Sequence, residues 1–230
     1  MSNRRTIVDR YSRIFHDDLL ARFNVPVDPD GMTTWPKPPL SWGFGSQKMT
    51  AEEARLLDDL GLLGARDAYG IYKTAIHESE NIFEKEGITD GHSDAFRHAY
   101  WNAMLANWFG PEFTEQYTNA REGIDTNSAA AEAMDLHNNA VGRRIAAEHP
   151  DADPEELATY VKEAALRGDM VVVGPDGMLT PSDQVAIGET GRADGPPATG
   201  GTKPAPTGKD FTSGGYNPGS DGESYGTYDN

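Results

Sequence analysis

The sequence predicts a mainly α protein, organised as one multi-helix domain with a small C-terminal β-hairpin and a disordered tail. Apolar residues recur at helical spacing through most of the stretch 49–187, which predicts the helical core domain. The valine-rich run Met170–Val173 is followed by Gly-Pro-Asp-Gly and a second short apolar run, a pattern typical of a hairpin. The stretch 188–230 is rich in Gly, Pro, Ser and Thr with almost no aliphatic residues, so we predict disorder there.

Start and stop signals divide the core domain into helices. Thr50 and Glu53 form a capping-box pattern, and Asp153 followed by Pro154 marks another helix start. Asp90 is expected to cap the helix that carries most of the candidate site residues. Together these signals predict the helices 50–63, 66–86, 90–108, 112–122, 126–148 and 153–168.

The N-terminal part, 1–48, is expected to form a helix over 1–24 followed by a strap rich in proline and tryptophan. The block 25–48 contains five prolines and three glycines, which exclude a regular element there. Trp35 and Trp42 are expected to pin this strap to the body of the domain, because buried tryptophans are usually packing residues.

Composition excludes several classes of function. The formal net charge of −17 repels phosphate backbones, so nucleic acid is an unlikely partner. The chain has no cysteine, which excludes disulfides, thiolate catalysis and zinc–thiolate sites. The basic start lacks a following apolar run, and no segment approaches the roughly 18 apolar residues of a membrane span. We therefore expect a soluble protein, either cytoplasmic or exported by a leaderless specialised secretion route.

The stretch Asp90–Trp108 holds the densest group of chemically active side chains. Asp94, His98 and Trp101 fall on one helical face that continues as an apolar stripe. Other apolar residues cover much of the remaining circumference, so this helix is expected to be central. His92, in the first turn, is interpreted as a solvated or capping residue.

The helix predicted over 126–148 behaves as a partner to the central one. His137 or Asn138 interrupts its apolar stripe, whereas Asp135 and Asn139 flank that stripe. Asp135 is interpreted as a solvated helix acid. Gly142 allows another helix to approach closely. Because buried polar groups need partners, the polar groups of the two helices are expected to meet.

Two chemical roles are compatible with polar side chains from the two helices that lie close together. In one, Asp94 orients His98 or His137 as a general base, and Asn138 orients water or substrate. In the other, Asp94, His98 and His137 bind a divalent metal. Substrate contacts are then expected from Arg97 or Arg143 and from Trp101. The alternative is a polar network that cross-links two helices and binds no substrate.

The motifs DAFRHAYWNAM (94–104) and MDLHNNAVGRRIA (134–146) resemble an uncharacterised bacterial, mainly actinobacterial, domain family that is often found in secreted toxin-like proteins. The resemblance extends over roughly residues 60–190. It implies an effector or toxin module with a cognate immunity or delivery protein as partner. Family members often have Ala-His-Glu where this chain has Ala120-Arg121-Glu122, so the resemblance implies that one family histidine is replaced here while Glu122 is kept.

The expected function is therefore an effector-like hydrolase acting on phosphoester or lipid ester bonds. Asp94, His98, His137 and Asn138 are its predicted catalytic residues. The alternative from another class is a non-enzymatic binding or structural module, in which the same polar cluster only fixes the two helices together.

Overall fold

The computed structural model describes residues 2–38, 41, 45–124 and 126–193, with side chains described from Arg10 onward. These residues are mainly α-helical, as predicted. They form six α-helices and two antiparallel strand pairs, in the order α1 (Ser2–Arg22), β1 (Met32–Trp35), β2 (Gln47–Thr50), α2 (Ala51–Ile82), α3 (His92–Phe109), α4 (Pro111–Glu122), α5 (Ala129–Glu148), α6 (Pro154–Arg167), β3 (Val171–Val173) and β4 (Leu179–Pro181).

The N-terminal strap contains a regular element, and the prediction that it has none is wrong. Strand β1 pairs antiparallel with β2, with Met32 opposite Thr50 and Trp35 opposite Gln47. The four residues of β1 contain no proline, so each can join the ladder. The Trp35 indole donates a hydrogen bond to Asp58 Oδ1 (2.7 Å), which pins the strap to α2. Trp42 lies outside the described residues.

Helix α2 consists of two helical segments that meet at a sharp break, in agreement with the two helices that the sequence predicts. Thr50 caps its start by accepting a hydrogen bond from the backbone N–H of Glu53 (3.0 Å). At Gly61 the backbone leaves the helical region (φ 69°, ψ 174°) and then returns to it. Glycine adopts a positive φ without a steric penalty, so the first segment ends and the second begins here, a few residues before the predicted boundary.

Helix α3 is the centre of the domain, as predicted, and α2, α4, α5 and α6 pack around it. Its N-cap is Gly91, which corrects the expectation that Asp90 is the cap. Loop carbonyls satisfy the first turn instead: Glu86 accepts from the N–H of Ser93, and Gly87 accepts from that of Asp94. This leaves the Asp94 carboxylate to face inward at the start of the helix.

Helix α5 packs more extensively on α3 than on any other element of the described chain. The approach is close because Gly142 lies directly against the backbone carbonyl of Ala99. Ser128 caps α5 by accepting from the N–H of Ala131 (3.1 Å), slightly later than the predicted start.

The C-terminal elements follow the predicted order. Asp153 and Glu156 form the reciprocal capping box of α6, and Gly168 ends that helix in the left-handed conformation. Strands β3 and β4 form the predicted antiparallel hairpin. The predicted disordered tail starts at 188, but residues 188–193 are still packed: the N–H of Gly191 donates to Val173 O (2.8 Å). The rest of that tail lies outside the described residues.

Across the described ranges, none of the helices combines the length and the hydropathy that a membrane crossing requires.

The contact between Gly142 and Ala99 gives a test of the α3–α5 packing. A Cβ atom at position 142 would overlap the Ala99 carbonyl. Gly142→Ala is therefore expected to lower the free energy of unfolding by about 1–3 kcal/mol or more, measured by urea denaturation. Gly70→Ala is the matched control, because a Cβ there meets nothing within 4 Å. It is expected to leave stability unchanged or to raise it by about 0.5–1 kcal/mol. Equal effects of the two changes would contradict the packing argument.

Candidate functional site

The candidate site is a buried group of three side chains between α3 and α5. Asp94 and His98 lie one turn apart on α3, and Asp135 faces them from α5. Each of the three offers one potential ligand atom, and these atoms lie within 4.8 Å of one another. All three residues are between 1 and 3% exposed. We call this group the Asp/His cluster.

Arg97 closes one side of the Asp/His cluster. Its Nη2 atom is 2.5 Å from Asp94 Oδ1 and 3.1 Å from His98 Nε2. The second oxygen of Asp94 accepts a hydrogen bond from the backbone N–H of Asp90 (2.7 Å). Asp94 also lies in the first turn of α3, where the helix dipole stabilises a negative charge. Arg97 and the helix terminus therefore offset part of the cost of burying the Asp94 carboxylate, although burial still raises its pKa.

Asp135 lacks such compensation. Within the part of the chain that the structure describes, neither of its carboxylate oxygens accepts a hydrogen bond. His98 Nε2 is 3.4 Å from Oδ1 but is not placed to donate to it. Burial raises the pKa of Asp135 well above its usual range, and repulsion from the Glu122 and Asp94 carboxylates raises it further. A carboxylate that is both buried and unpaired is costly, so it marks a place suited to a cation.

A chain of side-chain amides fixes the tautomer of His98. Arg143 Nη1 donates to Asn102 Oδ1 (3.1 Å), and Arg143 has no acceptor atom, so the orientation of the Asn102 amide follows. Asn102 Nδ2 then donates to Asn139 Oδ1 (2.6 Å), and that oxygen faces His98 Nδ1 at 3.1 Å. The proton of His98 therefore lies on Nδ1, and Nε2 turns a lone pair toward the carboxylates.

Arg97 supports the same assignment from the other side of the ring. An arginine can only donate, so His98 Nε2 must accept from it. Burial lowers the pKa of His98 well below 6.5, and the positive charge of Arg97 lowers it further. The imidazole is thus neutral, with Nδ1 held by an amide and the lone pair of Nε2 accepting from Arg97. A neutral ring with one nitrogen held by such a partner is also the form in which histidine binds metals, once Arg97 has left Nε2.

His137 and Asn138 are not part of the Asp/His cluster. His137 Nε2 lies 3.1 Å from Asp169 O, and its ring meets Phe23, just after α1, edge to face. Asn138 binds both the N–H and the C=O of Val171, at 3.0 and 2.9 Å. The structure therefore brings Asp135 to Asp94 and His98, where the sequence predicts His137. Asn138 joins α5 to the hairpin.

The three predicted substrate-binding residues have different surroundings. Arg97 lies in the Asp/His cluster. Arg143 anchors the amide chain and reaches Glu115 at 3.4 Å. Trp101 is buried against the rings of Tyr72 and Tyr117, with centroids 5.8 and 5.7 Å away. Of the three, Arg97 alone contacts the Asp/His cluster directly in the described structure.

Two interpretations from the sequence are wrong. Asp135 is buried rather than solvated. His92 is buried as well, and its Nε2 lies 2.9 Å from Ser182 O, so it is neither solvated nor the cap of α3.

Sequence reasoning missed the importance of Asp135, Asn139 and Asn102. One signal was present: Asp135 and Asn139 repeat on α5 the four-residue spacing of Asp94 and His98 on α3. Two polar pairs with the same spacing on two facing helices are what a shared buried site requires.

The donor set of the Asp/His cluster suits a divalent cation. Two carboxylates and one neutral imidazole are ligands that Zn²⁺ and Mn²⁺ accept, and three protein ligands leave coordination positions open. The hydrogen bond from His98 Nδ1–H to the Asn139 amide is a typical outer-shell contact of a metal-binding histidine. The unpaired Asp135 carboxylate is the observation that a bound cation would account for.

The protonation state of His98 can be tested directly by nitrogen-detected NMR of labelled, metal-free protein. Because burial and Arg97 lower its pKa, the imidazole is expected to stay neutral, with the proton on Nδ1, through the pH range in which a free histidine becomes protonated. A reference histidine peptide titrates near pH 6.5 under the same conditions. A His98 signal that titrates with the peptide, or a proton found on Nε2, would contradict the proposed amide chain.

Comparison with known proteins found one similarity, to a family model that covers part of the chain. Residues 62–169 match the model of a family described as Domain of unknown function (DUF6973), and this segment includes the whole Asp/His cluster. No match was found among curated proteins or among solved structures. The match supports the resemblance to an uncharacterised domain family, whereas the bacterial and toxin-like associations of that resemblance stay predictions.

Proposed function

We propose that this domain is a metal-dependent hydrolase whose active site is the Asp/His cluster. Asp94, His98 and Asp135 would hold one divalent cation between α3 and α5. The observation that carries the proposal is the Asp135 carboxylate, which is buried, has no hydrogen-bond donor among the described residues and lies beside a neutral histidine. A cation would turn this unfavourable arrangement into a favourable one.

The proposed substrates are phosphoester or lipid ester bonds. A bound divalent cation supplies Lewis-acid chemistry, drawing electron density from a phosphoryl or carbonyl oxygen. Arg97 is the residue suited to an anionic substrate group, because it lies beside the ligand atoms and its planar guanidinium matches a phosphate or carboxylate. At 8% exposure it is also more accessible than Asp94, His98 or Asp135. Substrate would therefore approach past Arg97.

Metal binding would require Arg97 to change partners. In the structure its guanidinium contacts both Asp94 Oδ1 and His98 Nε2, the atoms that a cation would need. Exchange of this guanidinium for a cation would keep Asp94 compensated and free Arg97 to bind substrate. We further propose, on the family resemblance alone, that the domain is an effector or toxin-like module with a cognate immunity or delivery protein.

A second function is favoured by the contacts of Arg97. One guanidinium already pairs with Asp94 and with His98 Nε2, so the cluster can act as a metal-free network that joins α3 to α5. The domain would then be a non-enzymatic binding or structural module. The two functions make opposite predictions about added cations.

Thermal unfolding after chelator treatment distinguishes the two functions. With Zn²⁺ or Mn²⁺ at about 100 times the dissociation constant, the free energy of unfolding of the wild type is expected to rise by about 2.7 kcal/mol. This corresponds to an increase of about 5–10 °C in Tm. Asp135→Asn is expected to abolish this gain, and Asp151→Asn, on an exposed turn, to retain it. If the wild-type Tm is unchanged and elemental analysis finds no metal, the metal-dependent function is contradicted and the metal-free network is supported.

The pH dependence of cation binding follows from the same carboxylates. Burial raises the pKa values of Asp94 and Asp135, so a cation must displace protons from them. The affinity for Mn²⁺ is therefore expected to fall as the pH is lowered from 8 toward 6, when measured by calorimetry. An affinity that is constant over this range would indicate ligands other than these carboxylates.

Activity is tested with chromogenic phosphodiester and ester substrates in the presence of Zn²⁺ or Mn²⁺. His98→Ala is expected to reduce kcat/KM by at least about 100-fold, because it removes a ligand from the reaction centre. His137→Ala is the matched control, since His137 contacts Asp169 and Phe23 instead. Circular dichroism checks that both variants fold. Two folded variants with full activity would contradict the catalytic role of the cluster.

A further inference from the structure

A cavity of about 470 Å³ is lined in part by Tyr72 and Tyr117, the two rings that pack against Trp101. Residues of β1, β2, α2 and α4 line it, and its volume is in the range of small-molecule binding sites. The wall is formed mainly by apolar and aromatic side chains, among them Trp35, Met49, Leu57, Leu63 and Tyr69. We call it the α2 cavity.

One side of the α2 cavity is polar and held rigidly. Arg121 donates to Glu53 Oε1 (3.2 Å) and to the Tyr72 hydroxyl (3.4 Å). Its guanidinium also lies over the rings of Tyr72 and Trp101, at 5.0 and 5.2 Å from their centroids. An arginine fixed on several sides loses little conformational freedom when it binds a further group.

Another part of the lining is apolar and exposed. Leu62 and Leu63 follow the kink at Gly61 and are 48 and 68% exposed. Two adjacent exposed leucines on the lining of a cavity are unfavourable in water, and an apolar ligand chain would cover them.

The charges of the lining favour an acidic ligand. Arg121 pairs with Glu53, the one acid among the lining residues, and Arg66 pairs with Asp67, which does not line the cavity. The lining itself therefore has one more positive than negative side chain, which favours an anionic over a cationic ligand. A carboxylate is also the group that the planar fork of arginine and a tyrosine hydroxyl bind well.

We infer that the α2 cavity binds a single-chain amphiphile with an acidic head, such as a fatty acid. The head lies at Arg121 and Tyr72, and the chain runs along Leu57 toward Leu63. This binding site is separate from the Asp/His cluster, and it does not depend on whether that cluster is catalytic.

The first test is calorimetric titration of the full chain with dodecanoate below its critical micelle concentration. Leu63→Asp places a carboxylate on the apolar part of the lining and is expected to weaken binding at least about tenfold, through lost apolar contact and charge repulsion. Leu166→Asp is the matched control, since Leu166 is an exposed leucine (54%) on α6 and does not line the cavity. Absence of binding, or equal loss in both variants, would overturn the inference.

The second test separates the acidic head from the chain. Dodecyltrimethylammonium has the same chain with a cationic head, and it is expected to bind at least about tenfold more weakly than dodecanoate. Tyr72→Phe removes one hydroxyl from the polar side of the cavity. It is expected to lower the affinity for dodecanoate several-fold and to leave the affinity for dodecanol unchanged. Circular dichroism checks the fold of each variant. Equal affinities for the two charged amphiphiles would overturn the assignment of the head group.

Discussion

The close approach of α3 and α5 is the constraint on which the remaining structure depends. Gly142 lets the α5 backbone lie against the Ala99 carbonyl, a distance that any side chain at position 142 would prevent. At this separation, short side chains such as Asp94 and Asp135 reach the same small volume between the helices. The other helices and the hairpin then pack around α3 and α5 and shield the polar groups between them from bulk solvent. These groups must therefore form hydrogen bonds and ion pairs with one another.

That satisfaction is complete for some groups and incomplete for others, because the Asn139 amide nitrogen and both Asp135 oxygens have no hydrogen-bond partner in the described structure. The amide chain from Arg143 through Asn102 and Asn139 holds His98 neutral and oriented, and Arg97 compensates Asp94. Asp135 alone among these has no donor in the described structure. Natural structures leave few such groups, and those that occur are often found at sites that bind something. The physical basis of the proposed cation site is a carboxylate without a hydrogen-bond donor beside a neutral histidine nitrogen that Arg97 would release.

The sequence was sufficient for the helical class, the hairpin and the centrality of α3, because each has a local signal. It was insufficient for the third member of the cluster. Successive residues of a helix are separated by about 100°, so His137 points roughly opposite to Asp135 on α5. The sequence could not choose between these faces, since α5 is covered on one side by α3 and on the other by α1 and the hairpin. Apolar periodicity cannot assign direction on a helix that is buried nearly all round.

By itself the sequence determined that Asp94 and His98 share one face of a central helix, because their spacing fixes that geometry locally. It also determined the capping of α6 and the absence of thiol chemistry. The tertiary structure alone decided which carboxylate faces them, which histidine tautomer is present, and that the strap forms β1 and one wall of a cavity. These features depend on contacts between residues far apart in the chain, and neither local propensity nor spacing encodes which of several polar residues will meet.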